Sequence, residues 1–269
     1  KYLSIAYLGS VPKTKAKRRK SKKTVLLDGN GNTTVLRESF RTIRTRVTKM
    51  AEEDDLKSFI VTSATAEEGK TTVAVNLAIS LAKKGKKVAL LDCDLRHPSV
   101  AKAMGVQTKE NGIADVLNKK SDLKSVMIRY GKYELDLLPG KESVQEPVVL
   151  LGNGYLERLL KVLRKNYDYV IIDTPPCGML SDASTIARMA DGAIMVVRQD
   201  HARVERILNG VENIADTGVD LIGYVLNHTE MGITGYGYGY GYGYGYGYGY
   251  GYGYGYGHYG YYGQRGKKE

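Results

Sequence analysis

Apolar residues recur along this chain in two rhythms. Leu36, Phe40, Ile43, Val47 and Met50 stand three or four apart, which predicts an amphipathic helix starting at Val35. Elsewhere the apolar positions are contiguous, in Phe59-Ile60-Val61, Val88-Ala89-Leu90-Leu91, Tyr169-Val170-Ile171-Ile172 and the runs 193–197 and 221–226, or broken once, by Asp136 in Leu135-Asp136-Leu137-Leu138. Short runs with no polar alternation read as strands covered on both faces, as in parallel sheets. Helical patterns fill the intervals, at 73–82, from Pro98 toward Met104, and at 112–117, 155–164, 182–190 and 203–217. Alternation of strand and helix predicts an α/β fold: a parallel sheet with helices on both faces and right-handed crossovers.

Both ends of the chain break this pattern. Lys13, Lys15, Lys17, Arg18, Arg19, Lys20, Lys22 and Lys23 form a dense basic run behind the mildly apolar stretch 2–8. That order resembles the cytoplasmic exit of a membrane segment, where each basic residue near an anionic leaflet contributes ~1 kcal/mol. The chain opens on Lys1 rather than Met and is expected to be a piece of a longer polypeptide. At the other end, residues 235–257 alternate Gly and Tyr without interruption. Gly at every second position and no aliphatic residue predict a disordered, accessible segment. The expected organisation is a basic juxtamembrane linker at 1–24, a catalytic domain at 25–234 and a tyrosine-cluster tail at 235–269.

Composition adds three exclusions. The formal net charge is +11, but its excess lies in the basic run, so a broad nucleic-acid-binding face is not expected. Cys93 and Cys177 are too few for a disulfide framework and read as small buried hydrophobes. No run of about 18 apolar residues or secretory signal is present.

The chemistry concentrates at strand ends. Ser63-Ala64-Thr65-Ala66-Glu67-Glu68-Gly69-Lys70-Thr71-Thr72 follows one strand and opens a helix. This is the placement of a phosphate-binding loop (P-loop), whose backbone N–H groups converge on phosphate oxygens. Gly69 permits close backbone approach, Lys70 reaches the β- and γ-phosphates, and the Thr71 hydroxyl holds Mg²⁺. Ala64 occupies the place of the first glycine of G-x-x-x-x-G-K-[ST]. Two further strands end in acids, Asp92-Cys93-Asp94-Leu95-Arg96 and Asp173-Thr174-Pro175-Pro176. Carboxylates there sit at the ligand crevice of an open α/β sheet, and Mg²⁺ relieves their mutual repulsion. Asn227 ends the last strand, placed either to read an adenine edge or to cap the strand. Glu38, Arg41 and Arg44 fall three apart beside the apolar face of the first helix. They are read as internal ion pairs or as a subunit contact.

Together these features resemble the bacterial tyrosine kinases of capsule and exopolysaccharide synthesis, from about Val35 to the tail. Residues 63–71 resemble that family's [GAS]-x-x-P-G-x-G-K-[ST] motif, with Ala66 in place of Pro and Glu67 in place of the first Gly. Residues 88–96 resemble its D-x-D-x-R motif and 170–173 its third motif. Glu38-x-x-Arg41-x-x-Arg44 resembles its oligomerisation motif, which turns the reading of that helix toward a subunit contact. Leu8-Gly9-Ser10-Val11-Pro12 resembles the juxtamembrane segment of members fused to their adaptor. The resemblance implies a P-loop NTPase-like fold, ATP and Mg²⁺ as cofactors, and phosphoryl transfer to tyrosine. Asp92 is the candidate base for the phenol proton, with Lys70 neutralising developing charge and Asp94 and Asp173 organising the metal. The exchange of roles between Asp92 and Asp94 stays open. The implied acceptors are Tyr236, Tyr238, Tyr240, Tyr242, Tyr244, Tyr246, Tyr248, Tyr250, Tyr252, Tyr254, Tyr256, Tyr259, Tyr261 and Tyr262, presented by one subunit to its neighbour in a homo-oligomeric ring. Implied partners are a membrane adaptor of the polysaccharide co-polymerase type, fused or separate, and a cognate tyrosine phosphatase. Sugar-nucleotide dehydrogenases or glycosyltransferases are the implied substrates. The implied location is the cytoplasmic face of the cell membrane.

Two other functions compete. Partitioning or septum-placement ATPases share the strand-end acids but carry K-G-G-x-G-K-[ST], and Thr65 stands where their extra lysine falls. A Gly-Tyr scaffold that stacks on itself or on single-stranded RNA is the third reading, although the tyrosines carry no interleaved arginines.

Overall fold

The computed structural model describes residues 5–13, 25–29, 34–131, 133–178 and 181–230. The basic run at 15–23 and the tail acceptors lie outside the described residues. Described strands form one sheet in the order β1-β8-β7-β2-β6-β3-β5-β4. They are β1 Tyr7–Pro12, β2 Ser58–Ser63, β3 Val88–Asp92, β4 Ile128–Arg129, β5 Leu135–Leu138, β6 Tyr169–Asp173, β7 Gly192–Arg198 and β8 Asp220–Thr229. Every neighbouring pair is parallel except β4 with β5. The helices are α1 Thr34–Glu53, α2 Lys70–Ala82, α3 Val100–Met104, α4 Ile113–Leu117, α5 Leu123–Val126, α6 Pro147–Leu151, α7 Tyr155–Asn166, α8 Ser181–Ala187 and α9 Val204–Ala215.

Unbroken apolar runs made these strands central, and their alternate residues enter two separate cores. Phe59, Val61, Leu90 and Ile171 pack with α1 and α2 on one face. Ile60, Leu91, Val170 and Ile172 pack with α7, α8 and α9 on the other. Leu36, Phe40, Ile43 and Val47 of α1 are buried as their spacing requires, while Ala51 takes the last buried place and Met50 packs only at its margin.

The boundary expected at residue 24 needs correction, because the sheet begins at Tyr7. Strand β1 pairs parallel with β8 from Tyr7↔Tyr224 to Pro12↔Thr229. Leu8 and Val11 are buried, and Arg46 of α1 lies over the Tyr7 ring, 5.5 Å from its centroid. Gly9 is dictated by packing: a Cβ there would stand 2.8 Å from Ile43 Cγ1. Pro12 is tolerated because β1 is an edge strand. The sequence reading also passed over β4, α5 and α6, which are two to five residues long. Helix α6 opens on Pro147, where a missing N–H costs nothing, and buries Leu150 and Leu151.

Candidate functional site

The order β2-β6-β3 places three chemically loaded strand ends side by side. Pairing sets Val61 opposite Asp173 and Asp173 opposite Asp92. The loop at 64–69 leaves β2 and runs directly into α2, so Lys70 and Thr71 open that helix above the two acids.

The loop is fixed from both sides. Gly69 adopts φ 91°, and a Cβ there would collide with the side-chain amide of Asn227. Asn227 is buried and donates its Nδ2 to Glu68 O at 2.7 Å, while its Oδ1 accepts from His228 N at 2.9 Å. Its side-chain amide thereby braces the loop from the end of β8. Glu68 is fully buried, and its carboxylate accepts from Thr65 N at 2.7 Å and from Arg198 N at 3.4 Å. Arg198 also donates to Glu67 O at 3.0 Å, and His201 Nε2 lies 2.9 Å from Ala66 O. Glu67 has φ 62°. The left-handed conformation is kept where the resembling motif has glycine, at a cost of ~1 kcal/mol, and Arg198 at the end of β7 holds it in place.

Below the loop the acids are unequally served. Asp94 Oδ2 lies 3.5 Å from Lys70 Nζ, and its Oδ1 accepts from His97 N at 3.1 Å. Asp92 Oδ2 accepts the N–H groups of Ser99 and Val100, both at 2.9 Å. Asp173 Oδ2 accepts from the Thr71 hydroxyl at 2.7 Å, and that hydroxyl lies 3.2 Å from Ser99 Oγ. The remaining oxygens, Asp92 Oδ1 and Asp173 Oδ1, are buried with no hydrogen-bond partner. Burial raises the Asp92 carboxyl to about 6, opposed by the N–H bonds from Val100 and Ser99. Burial raises Asp173 to about 8, opposed first by Lys70.

These orphaned oxygens, beside a hydroxyl and a lysine, fit a bound magnesium nucleotide. Among the described residues no three His, Cys, Asp or Glu side chains form a cage for a metal. Magnesium does not need one, since it keeps waters and binds through one or two carboxylates plus substrate phosphates.

Two further arrangements lie outside the loop and its acids. Arg96 makes a two-point contact with Asp182 of α8, at 2.6 and 3.1 Å, and Asp182 is buried. This ion pair anchors the segment after β3 to α8. In the E-x-x-R-x-x-R stretch, Glu38 and Arg41 form an exposed pair at 2.7 Å. Arg44 turns inward to Ser80 Oγ at 3.0 Å and Ser80 O at 3.3 Å, tying α1 to α2. Cys93 and Cys177 are free and buried, and burial pushes both thiols above their ordinary range. Ser99, Asp182, Arg198 and His201 carried no motif in the sequence. Only the fold brings Ser99, Arg198 and His201 to the loop and the acids, and Asp182 to Arg96.

Residues 56–222 match the family model described as an AAA domain. The tyrosine-protein kinase YwqD of Bacillus subtilis (strain 168) is 34% identical over 204 residues, spanning 74% of this chain and 86% of that protein. The solved kinase domain of Escherichia coli tyrosine kinase ETK superposes with a TM-score of 0.76 at 25% identity, covering 92% of this chain and 95% of that one. The septum site-determining protein MinD of Pyrococcus horikoshii OT3, solved with Mg-ADP, has a TM-score of 0.57 at 25% identity over 64% of this chain and 70% of that one.

Proposed function

This chain belongs to the bacterial tyrosine-protein kinases, and on that footing we propose how its residues divide the work of moving phosphate from ATP to tyrosine hydroxyls. The N–H groups of residues 64–69 and of the α2 N-terminus bind phosphate oxygens. Lys70 leaves its pairing with Asp94 to meet the β- and γ-phosphates and balances charge that develops as the phosphoryl group transfers. Thr71, Asp173 and Asp94 would hold a magnesium ion, which when bound would neutralise the phosphates. Asp92 takes the phenol proton at Oδ1, the oxygen left without a partner. A free phenol ionises near pH 10, whereas this carboxyl is raised toward neutrality, where a general base works best.

The observation that carries this reading is the pair of buried, unserved oxygens on adjacent strand ends beside Lys70 and Thr71. Buried polar atoms without partners are costly, and a bound group that serves them removes that cost.

The acceptors in this reading are the tail tyrosines from Tyr236 to Tyr262, modified in trans within a ring whose contacts include Glu38 and Arg41. Each phosphate adds about −1.5 to −2 charges, so neighbouring tails repel and the ring loosens until a phosphatase resets it. A membrane adaptor, fused or separate, brings the kinase to the cytoplasmic face of the membrane. Its other substrates are sugar-nucleotide dehydrogenases or glycosyltransferases of capsule and exopolysaccharide synthesis. The decisive experiment incubates the protein with Mg-ATP and maps phosphotyrosine by mass spectrometry, beside Lys70→Met. Tail modification in the wild type alone is the expected result. ATP hydrolysis without phosphotyrosine would instead favour the septum-placement class, whose solved member shares the fold.

A further inference from the structure

Each tail acceptor in the alternating stretch follows a glycine, and the same step occurs in the folded body at Gly154-Tyr155 and Gly223-Tyr224. Tyr224 lies inside β8, flanked by β1 and β7, with its ring packed against that of Tyr7 at 5.5 Å. Tyr155 stands elsewhere. It is the first residue of α7, behind a Gly152-Asn153-Gly154 turn whose Gly154 has φ 80°. Asn153 ties that turn to the end of α4 through Leu117 O at 3.3 Å and accepts Tyr155 N at 3.0 Å. Tyr155 is half-buried. Lys119 Nζ lies 4.5 Å from its ring centroid, and Arg158 Cζ lies 5.3 Å away.

We propose that Tyr155 is a phosphoacceptor in the kinase body itself, a local-sequence match to the tail that ends in a pair of cations built to hold its phosphate. The proposal rests on the kinase reading above, since a second copy of this chain supplies the active site. In the step, the bond from the γ-phosphorus to the departing ADP breaks and the bond to Tyr155 Oη forms. The phenolic proton leaves to the base.

Three other described tyrosines, Tyr167, Tyr130 and Tyr169, are poor hosts for a phosphate. Tyr167 donates to Asp136 at 2.8 Å and Tyr130 to Asp28, so a phosphate there would face a carboxylate. Tyr169 is 4% exposed. At Tyr155 both neighbours are positive, and they hold the phenol below its ordinary range, Lys119 first. A phosphate would convert two ring–cation contacts into ion pairs joining the end of α4 to α7.

The test incubates the full chain with Mg-ATP and follows phosphate on the Tyr155 peptide and on the tail over time. Phosphate on both, lost only from the Tyr155 peptide in Tyr155→Phe, is the expected result. A Lys119→Ala/Arg158→Ala variant should label Tyr155 roughly fivefold more slowly, with tail labelling at its wild-type rate. A labelled tail with an unmodified Tyr155 overturns the proposal and leaves the kinase reading intact. Unchanged Tyr155 labelling in the double variant overturns the role given to the cations. No phosphotyrosine anywhere removes the kinase reading and this proposal with it.

Discussion

The two ends of the central strands treat acidic side chains in opposite ways. At their amino ends, Asp191 is fully served. Its Oδ2 accepts from Lys57 N, Ser58 N, Ser58 Oγ and Arg164 Nε at 2.8–3.1 Å, and its Oδ1 pairs with Arg164 at 3.0 Å. At their carboxyl ends, Asp92 and Asp173 each keep one buried oxygen with no partner, and burial raises both carboxyls. The same residue type thus acts as a staple at one edge and remains unfinished at the other. The unfinished edge carries the phosphate loop. Stability is stored where hydrogen bonding is complete, and ligand binding is left where it is not.

This contrast is breakable by substitution. The largest effect should come from Lys70→Met, which removes the charge facing the transferred phosphoryl group. Tyrosine phosphorylation falls by roughly 10²–10³-fold, read by phosphotyrosine formation against time, while the melting temperature barely moves. Arg164→Ala should do the reverse. It strips the staple and costs about 2 kcal/mol of stability, read by urea denaturation, because a charge in a partly buried pair loses its partner. Kinase activity at a permissive temperature stays near wild type.

A pH series sharpens the contrast further. Asp173 titrates near its ordinary carboxylate value when unfolded but at about 8 in the fold. Between those values the folded state binds more protons, so the stability of the nucleotide-free protein falls as pH rises through that window. Asp173→Asn should flatten this slope between about pH 5 and pH 8 in urea titrations, whereas Asp191→Asn should leave it in place.

The smallest effect concerns the loop. Glu67→Gly relieves a left-handed non-glycine residue and should stabilise by ~1 kcal/mol at most. Arg198→Ala should weaken nucleotide binding severalfold in the parent and less in the Glu67→Gly background, where the loop needs less holding; a titration of both variants with ADP measures it.

The sheet was legible because β2, β3 and β6 are short apolar runs that end in Ser63, Asp92 and Asp173, and period and chemistry agree at those points. Lys70 and Thr71 were legible for the same reason, as the opening of a helix after a strand. Strand β1 was not, because Gly9-Ser10 interrupts its apolar pattern and the reason for Gly9 is a side chain on α1. The clamp of Arg198, His201 and Asn227 on the loop joins residues more than 130 positions apart, and no local rule encodes it. Arg44 shared its spacing with Glu38 and Arg41, yet burial against Ser80 separates it from them. Spacing assigns a residue to a helix face, and only packing decides what that face meets.

The central claim is that the unserved oxygens of Asp92 and Asp173 belong to a magnesium-nucleotide site. Calorimetric titration of ADP with and without Mg²⁺, on the wild type and on Asp173→Asn, tests it most directly. The account predicts that Mg²⁺ tightens ADP binding in the wild type by roughly tenfold or more and that this gain is lost in the variant. Equal tightening in both proteins, or none in the wild type, would contradict it.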